Sequence, residues 1–129
     1  MISKCGISRN RKNLKLAIEE VELLSKDFKS NLKITRINSG LNVDLEKALR
    51  LEDFIELAKL MINDALEREE SCGAHFREEY QTKEGEAKRN DDLFSHIAVW
   101  KFNAENNSHR RYVEELSFKK INLNTRNYK

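Results

Sequence analysis

No proline interrupts this chain, and only four glycines occur in its 129 residues. Proline ends helices and glycine loosens them, so their scarcity favours long helices over a many-turned β fold. Apolar residues then recur at spacings of three and four: Leu14, Ala17, Ile18, Val21, Leu24, Phe28 and Leu32. That places one stripe along a helix capped by Asn10 or Asn13. A second stripe reads Leu45, Ala48, Leu49, Phe54 or Ile55, Ala58, Met61 or Ile62, and Ala65, widened by Leu51, Leu57 and Leu66. It predicts one continuous helix over 44–71, capped by Asn42 or Asp44 and followed by Gly73, which tolerates the φ > 0 common just past a helix end. Residues 2–9 read as the end of an earlier helix.

From Phe94 the period changes to two. Phe94, His96, Ala98, Trp100 and Phe102 share one side, and after an Asn/Ser-rich turn Tyr112, Glu114, Leu116 and Phe118 alternate again. This predicts a β-hairpin with its aromatic face inward, Trp100 lying against Phe102, Tyr112 or Leu116. Residues 76–92 lack a period and read as a loop, with Asp92 able to start a short helical turn.

The net charge of +2 conceals segregation. Residues 1–40 hold nine bases and four acids, 41–92 eight bases and fifteen acids, and 93–129 seven bases and three acids. No block is basic enough, with aromatics interleaved, to bind nucleic acid. The apolar runs are too short to span a bilayer. Cys5 and Cys72 form no paired framework, as expected for a reducing compartment. No Gly-x-Gly-x-x-Gly or Walker loop is present. The three histidines, His75, His96 and His109, lack metal-ligand spacing. The acids of 67–79 read as a solvated helix end rather than a catalytic pair. His75 reads as a structural histidine bonded to backbone or to a carboxylate, because no nucleophile, metal or phosphate site accompanies it.

The most specific stretch is Arg68 to Asp92, which brings Glu70, Ser71, Gly73, His75, Arg77 and Asp92 into a short span. It resembles the Glu-Ser-Arg-Gly-Ala-His-x-Arg-Glu-Asp-Tyr-Pro…Arg-Asp-Asp signature near the C-terminus of succinate dehydrogenase and fumarate reductase flavoprotein subunits. Lys4 to Asn10 resembles the segment preceding the second helix of that region, and Lys120 to Tyr128 its usual ending. Cys72 stands where most members have arginine, Glu79 replaces the usual Asp, Gln81 replaces the usual Pro, and residues 82–88 are inserted. The inserted wording resembles a bacterial, membrane-anchored branch that often works with menaquinone.

The resemblance implies a mainly α (α+β) fold. It would be an antiparallel, spectrin-like three-helix bundle over 1–73, its first helix present only in its last turns. A loop and β-hairpin extension over 74–129 would pack on that bundle. It implies the C-terminal domain of an FAD-dependent subunit interconverting succinate and fumarate and passing electrons to an iron–sulfur subunit. FAD would be bound by the preceding flavin domain and not by this part, which would be inactive alone. Glu70, Ser71, Gly73, His75, Arg77 and Asp92 would serve structure and docking on that domain, with no catalytic, cofactor or metal residue here. The place implied is the cytoplasmic side of a bacterial inner membrane, within a respiratory complex and without direct insertion. A helical interaction module, the related L-aspartate oxidase domain, and a hydrolase built on His75 are the alternatives.

Overall fold

In the computed structural model, which describes residues 1–34 and 40–124, the chain forms α1 (Ile2–Cys5), β1 (Ser8–Arg9), α2 (Arg11–Asn31) and α3 (Val43–Glu67). They are followed by β2 (Phe76–Arg77), α4 (Asp91–Phe94), β3 (His96–Asn103) and β4 (Ser108–Glu115). The fold is α+β. The expected ending 125–129 and most of the break before α3 lie outside the described residues.

Local chemistry starts the helices. The Asn10 side chain accepts from the Asn13 N–H at 2.8 Å, and Asn42 accepts from the Asp44 and Leu45 N–H groups at 3.1 and 3.0 Å. Each satisfies donors that the first helical turn leaves open. The core joins the start of α2 to the end of α3: Leu14 and Ala17 meet Ile62, Ala65 and Cys5, with Ile18, Val21 and Leu66 against them. That pairing makes α2 and α3 an antiparallel helix hairpin. Further along, the Lys59 Nζ donates to the buried Ser25 Oγ at 3.2 Å.

Of the pairs left open in sequence, Ile55 and Ile62 are buried while Phe54 and Met61 are exposed. Leu45, Leu49 and Leu57 are exposed as well. The described residues contain two long helices, not three, because α1 is a single turn. Its Cys5 nevertheless completes the core, and burial pushes the Cys5 thiol pKa up.

Three other expectations are corrected. Helix α3 stops at Glu67 rather than running to Ser71, because Arg68 leaves helical geometry with ψ at 96°. Residues 8–9 are not helix; they pair in parallel with residues 76–77 of the expected loop. The short helical turn begins at Asp91 and is capped by Asn90, whose side chain accepts from the Leu93 N–H at 3.3 Å.

The hairpin forms as expected, with β3 antiparallel to β4 from His96 opposite Glu115 to Asn103 opposite Ser108. Its faces differ from the prediction. Trp100 opposes Arg111 and Tyr112 opposes Val99, so Tyr112 points away from Trp100. The Trp100 side carries ion pairs to α3: Arg111 Nε lies 3.0 Å from Asp64 Oδ1, and His109 Nδ1 lies 3.2 Å from Glu56 Oε1. Charges as well as aromatics therefore attach the hairpin, and Trp100 is only half-buried.

Candidate functional site

Beyond α3 the chain folds back beneath the helix end. Arg77 is fully buried. Its Nη1 donates to the carbonyls of Ala65 at 2.9 Å, Leu66 at 3.2 Å and Arg68 at 3.4 Å. A helix C-terminus leaves its last carbonyls open and carries partial negative charge, so a buried cation there is doubly favoured. Arg77 Nε donates to Glu79 Oε2 at 3.1 Å, and its guanidinium lies 5.4 Å from the Tyr80 ring centroid. Its Nη2 is buried without a hydrogen-bond partner among the described residues.

Ser71, also fully buried, locks the return strand in place. Its Oγ accepts from the Arg77 N–H at 2.8 Å and donates to the Arg77 carbonyl at 3.1 Å. Its own N–H donates to the Lys88 carbonyl at 2.9 Å. Glu70 is 2% exposed and accepts from Arg68 Nη1 at 2.6 Å and from the Asn90 N–H at 2.8 Å. Arg68 extends the network, donating to the Phe94 and His96 carbonyls at 3.1 and 2.9 Å. The expectation of solvated acids at a helix end therefore fails for Glu70, whose charge is paired and buried.

Gly73 has φ of +58° and sits inside a tight turn. Cys72 and His75 close that turn with backbone hydrogen bonds of 2.9 and 3.1 Å. The left-handed residue is thus where expected, although it shapes this turn instead of ending α3. Cys72, Gly73 and Ala74 are exposed at the tip.

His75 is half-buried between two elements. Arg9 Nη1 lies 2.7 Å from its Nδ1, and the Arg68 carbonyl lies 3.0 Å from its Nε2. An arginine only donates and a carbonyl only accepts, so Nδ1 bears the lone pair and Nε2 the hydrogen. Burial, and the charges of Arg9, Arg77 and Arg68, hold the His75 pKa below the usual histidine value, against a raising effect of the Arg68 hydrogen bond.

The N-terminal segment completes the knot. The Phe76 N–H donates to the Ile7 carbonyl at 3.1 Å and the Glu78 N–H to the Arg9 carbonyl at 2.8 Å. Asn10 Nδ2 and Ser8 Oγ each donate to the Glu78 carboxylate at 2.8 Å, and these two bonds lower its pKa, that of Asn10 more. Glu70, Ser71, Gly73, His75 and Arg77 thus assemble around the end of α3. Asp92 sits apart on α4, exposed, and makes none of these bonds. Sequence reasoning missed Arg9 and Glu78 as partners, since neither spacing nor periodicity links Arg9 to His75, 66 positions on, or Glu78 to Asn10; it missed Arg68, close in sequence, because no period runs through the turn.

Apart from Arg77 Nη2, these donors and acceptors are committed within the chain. The N-termini of α2 and α3 are capped by Asn10 and Asn42 rather than left open by a glycine loop. The described residues do not fit a flavin pyrophosphate cradle.

A family model described as "Fumarate reductase flavoprotein C-term" matches residues 1–128. The chain belongs to this family. Among relatives of the fumarate reductase flavoprotein C-terminal region, one component of the CoM/CoB fumarate reductase of Methanothermobacter marburgensis is 36% identical over 89 residues, which cover 69% of this chain and 16% of that protein. An uncharacterized FAD-dependent oxidoreductase of Methanocaldococcus jannaschii is 37% identical over 80 residues, 61% of this chain and 14% of that protein. A solved E. coli quinol fumarate reductase chain superposes with a TM-score of 0.80 at 27% identity, covering 95% of this chain and 20% of that one. The chain therefore spans less than a quarter of the length of these relatives, and its correspondence to the fumarate reductase C-terminal fold is nearly complete. No described helix is long and apolar enough to cross a membrane.

Proposed function

We propose that this chain is the C-terminal domain of an FAD-dependent succinate dehydrogenase or fumarate reductase flavoprotein subunit, supplying structure and docking rather than catalysis. The match of the family over residues 1–128 carries the reading. The parent subunit would bind FAD in a preceding domain, interconvert succinate and fumarate, and pass electrons to an iron–sulfur subunit on the cytoplasmic side of a bacterial inner membrane.

Within that assembly, a preceding helix would complete the three-helix bundle. The exposed Phe54, Leu57 and Met61 on one flank of α3, with Leu24 of α2 on the same side, offer it an apolar seat. Residues 1–73 and 74–129 would act as one unit, a reading supported by the pairing of β1 with β2 across that boundary. In the motif, Glu70, Ser71, Arg77 and His75 build the knot from within. Cys72, Gly73, Ala74 and Asp92, on the exposed side, face the flavin domain.

Two measurements test this. Incubated with FAD and desalted, the chain alone stays colourless, and stoichiometric bound flavin overturns the reading. In the parent enzyme, Arg77→Ala lowers thermal stability or assembly with the iron–sulfur subunit while the folded fraction keeps most of its turnover. Normal assembly with turnover reduced about a thousandfold, the scale of a lost transition-state contact, would instead put this stretch at the reacting centre. Turnover of L-aspartate in place of succinate would move the chain to the aspartate oxidase branch.

A further inference from the structure

We propose that His75 is a proton-operated latch that holds the N-terminal segment onto the end of α3: closed while the imidazole is neutral, open once it is protonated. The ring spans two parts of the chain that are distant in sequence. On one side Arg9, in β1, donates to Nδ1 at 2.7 Å. On the other, Nε2 donates to the carbonyl of Arg68, just past α3, at 3.0 Å. Both bonds need the tautomer with a bare Nδ1.

Protonation places an N–H on Nδ1, directly against an arginine N–H. The hydrogen bond becomes a donor–donor clash, and two cations meet at hydrogen-bond distance. Every charge facing the ring worsens this. Arg9 comes from β1, Arg68 from the end of α3, and Arg77 from β2, and all three lower the proton affinity of the ring. The neighbouring carboxylates are occupied elsewhere: Glu70 on Arg68 and Asn90, Glu79 on Arg77, Glu78 on Ser8 and Asn10, and Glu69 on Arg11. Among the described residues, the hydrogen-bond partners of the imidazole are Arg9 and Arg68.

The element released would be the β1–β2 pairing. His75 immediately precedes Phe76, whose N–H donates to Ile7, and Arg9 is both the charge repelled and the acceptor of the Glu78 N–H. The linkage sign follows from the lowered His75 value. The unfolded or opened chain takes up the proton first, so the latch contributes fully above the ordinary histidine pKa and is lost as pH falls through and below it. Leu14 and Ile62, in the core, have no part in this exchange of protons.

The test is amide hydrogen exchange on the full chain, corrected for intrinsic exchange, from about pH 7.5 to about pH 5, either side of the ordinary histidine value. Protection of the Phe76 and Glu78 N–H groups should fall as pH drops below the ordinary histidine value, approaching about tenfold per pH unit for one linked proton, while Leu14 and Ile62 hold. His75→Gln offers an amide oxygen to Arg9 and an amide N–H to Arg68, so it should keep its protection at the low pH. Unchanged protection in the parent chain overturns the proposal. An equal acid loss in His75→Gln does so too, transferring the effect to Glu78 and its neighbours. If the variant does not fold, the ring titration of the parent chain by NMR decides: a folded ring that titrates below the ordinary histidine value, after protection at Phe76 and Glu78 has begun to fall, supports the latch, and a folded ring that titrates at or above the ordinary value overturns it.

Discussion

The knot at the end of α3 and the β3–β4 hairpin are built on opposite plans. In the knot the buried side chains are polar: Glu70, Ser71 and Arg77 are at most 2% exposed, and each has several partners. In the hairpin most of the large apolar side chains are exposed, among them Ile97, Val99, Phe102, Tyr112 and Val113. All of the knot's buried polar side-chain atoms but Arg77 Nη2 find partners inside the chain. The hairpin satisfies its backbone through its own ladder and touches α3 through half-exposed ion pairs, leaving apolar surface open on both faces. Polar burial thus marks a region nearly complete in itself, and apolar exposure marks one whose packing is unfinished within these residues.

Substitutions should separate the two. Arg77→Ala should cost the most, about 3–5 kcal/mol, because it strips the buried cation from the α3 carbonyls. Chemical denaturation would measure it, and a loss below about 1 kcal/mol, that of an exposed pair, would show that the knot is no more cohesive than the surface. Ser71→Ala removes both bonds to the Arg77 backbone and leaves them buried without that partner. About 1–3 kcal/mol is expected in the same assay.

Trp100→Ala should cost about 1–2 kcal/mol, below the ~3–5 of a fully buried tryptophan, since the ring is only half-covered. Iodide should correspondingly quench part of its fluorescence. Complete shielding would show a hairpin better packed than these contacts indicate. Asp64→Asn, which breaks the Arg111 pair, should have the smallest effect. A half-exposed pair of this kind is expected to contribute about 0–1 kcal/mol, a contribution that should fade in high salt. A larger loss that persists in salt would raise the hairpin to the level of the knot.

Both long helices, their asparagine caps and the alternation of β3 were legible in sequence because each depends on neighbours a few residues away. The exposed partners of the buried stripe, Phe54 and Met61, were legible only as alternatives to Ile55 and Ile62. Two adjacent apolar residues on a wide stripe differ in angle by one helical step, and only the position of α2 chooses between them. The pattern of β3 showed which residues alternate without showing which strand residue stands opposite. That choice put Arg111, not Tyr112, across from Trp100.

By itself the sequence determined a helix-dominated α+β chain and, through the wording of residues 68–92, its family. Those properties lie in local propensity and in motif residues that stand close together. Tertiary structure decided where α3 ends, that residues 8–9 pair with 76–77, and that Arg77 is a buried helix cap rather than a solvated charge. The physical reason is the same in each case. A charged residue reads as exposed until distant chain supplies partners for it, and the Arg9–His75 contact joins positions 66 residues apart. Only the folded backbone brings together the carbonyls, carboxylates and guanidinium groups that make burial of charge tolerable.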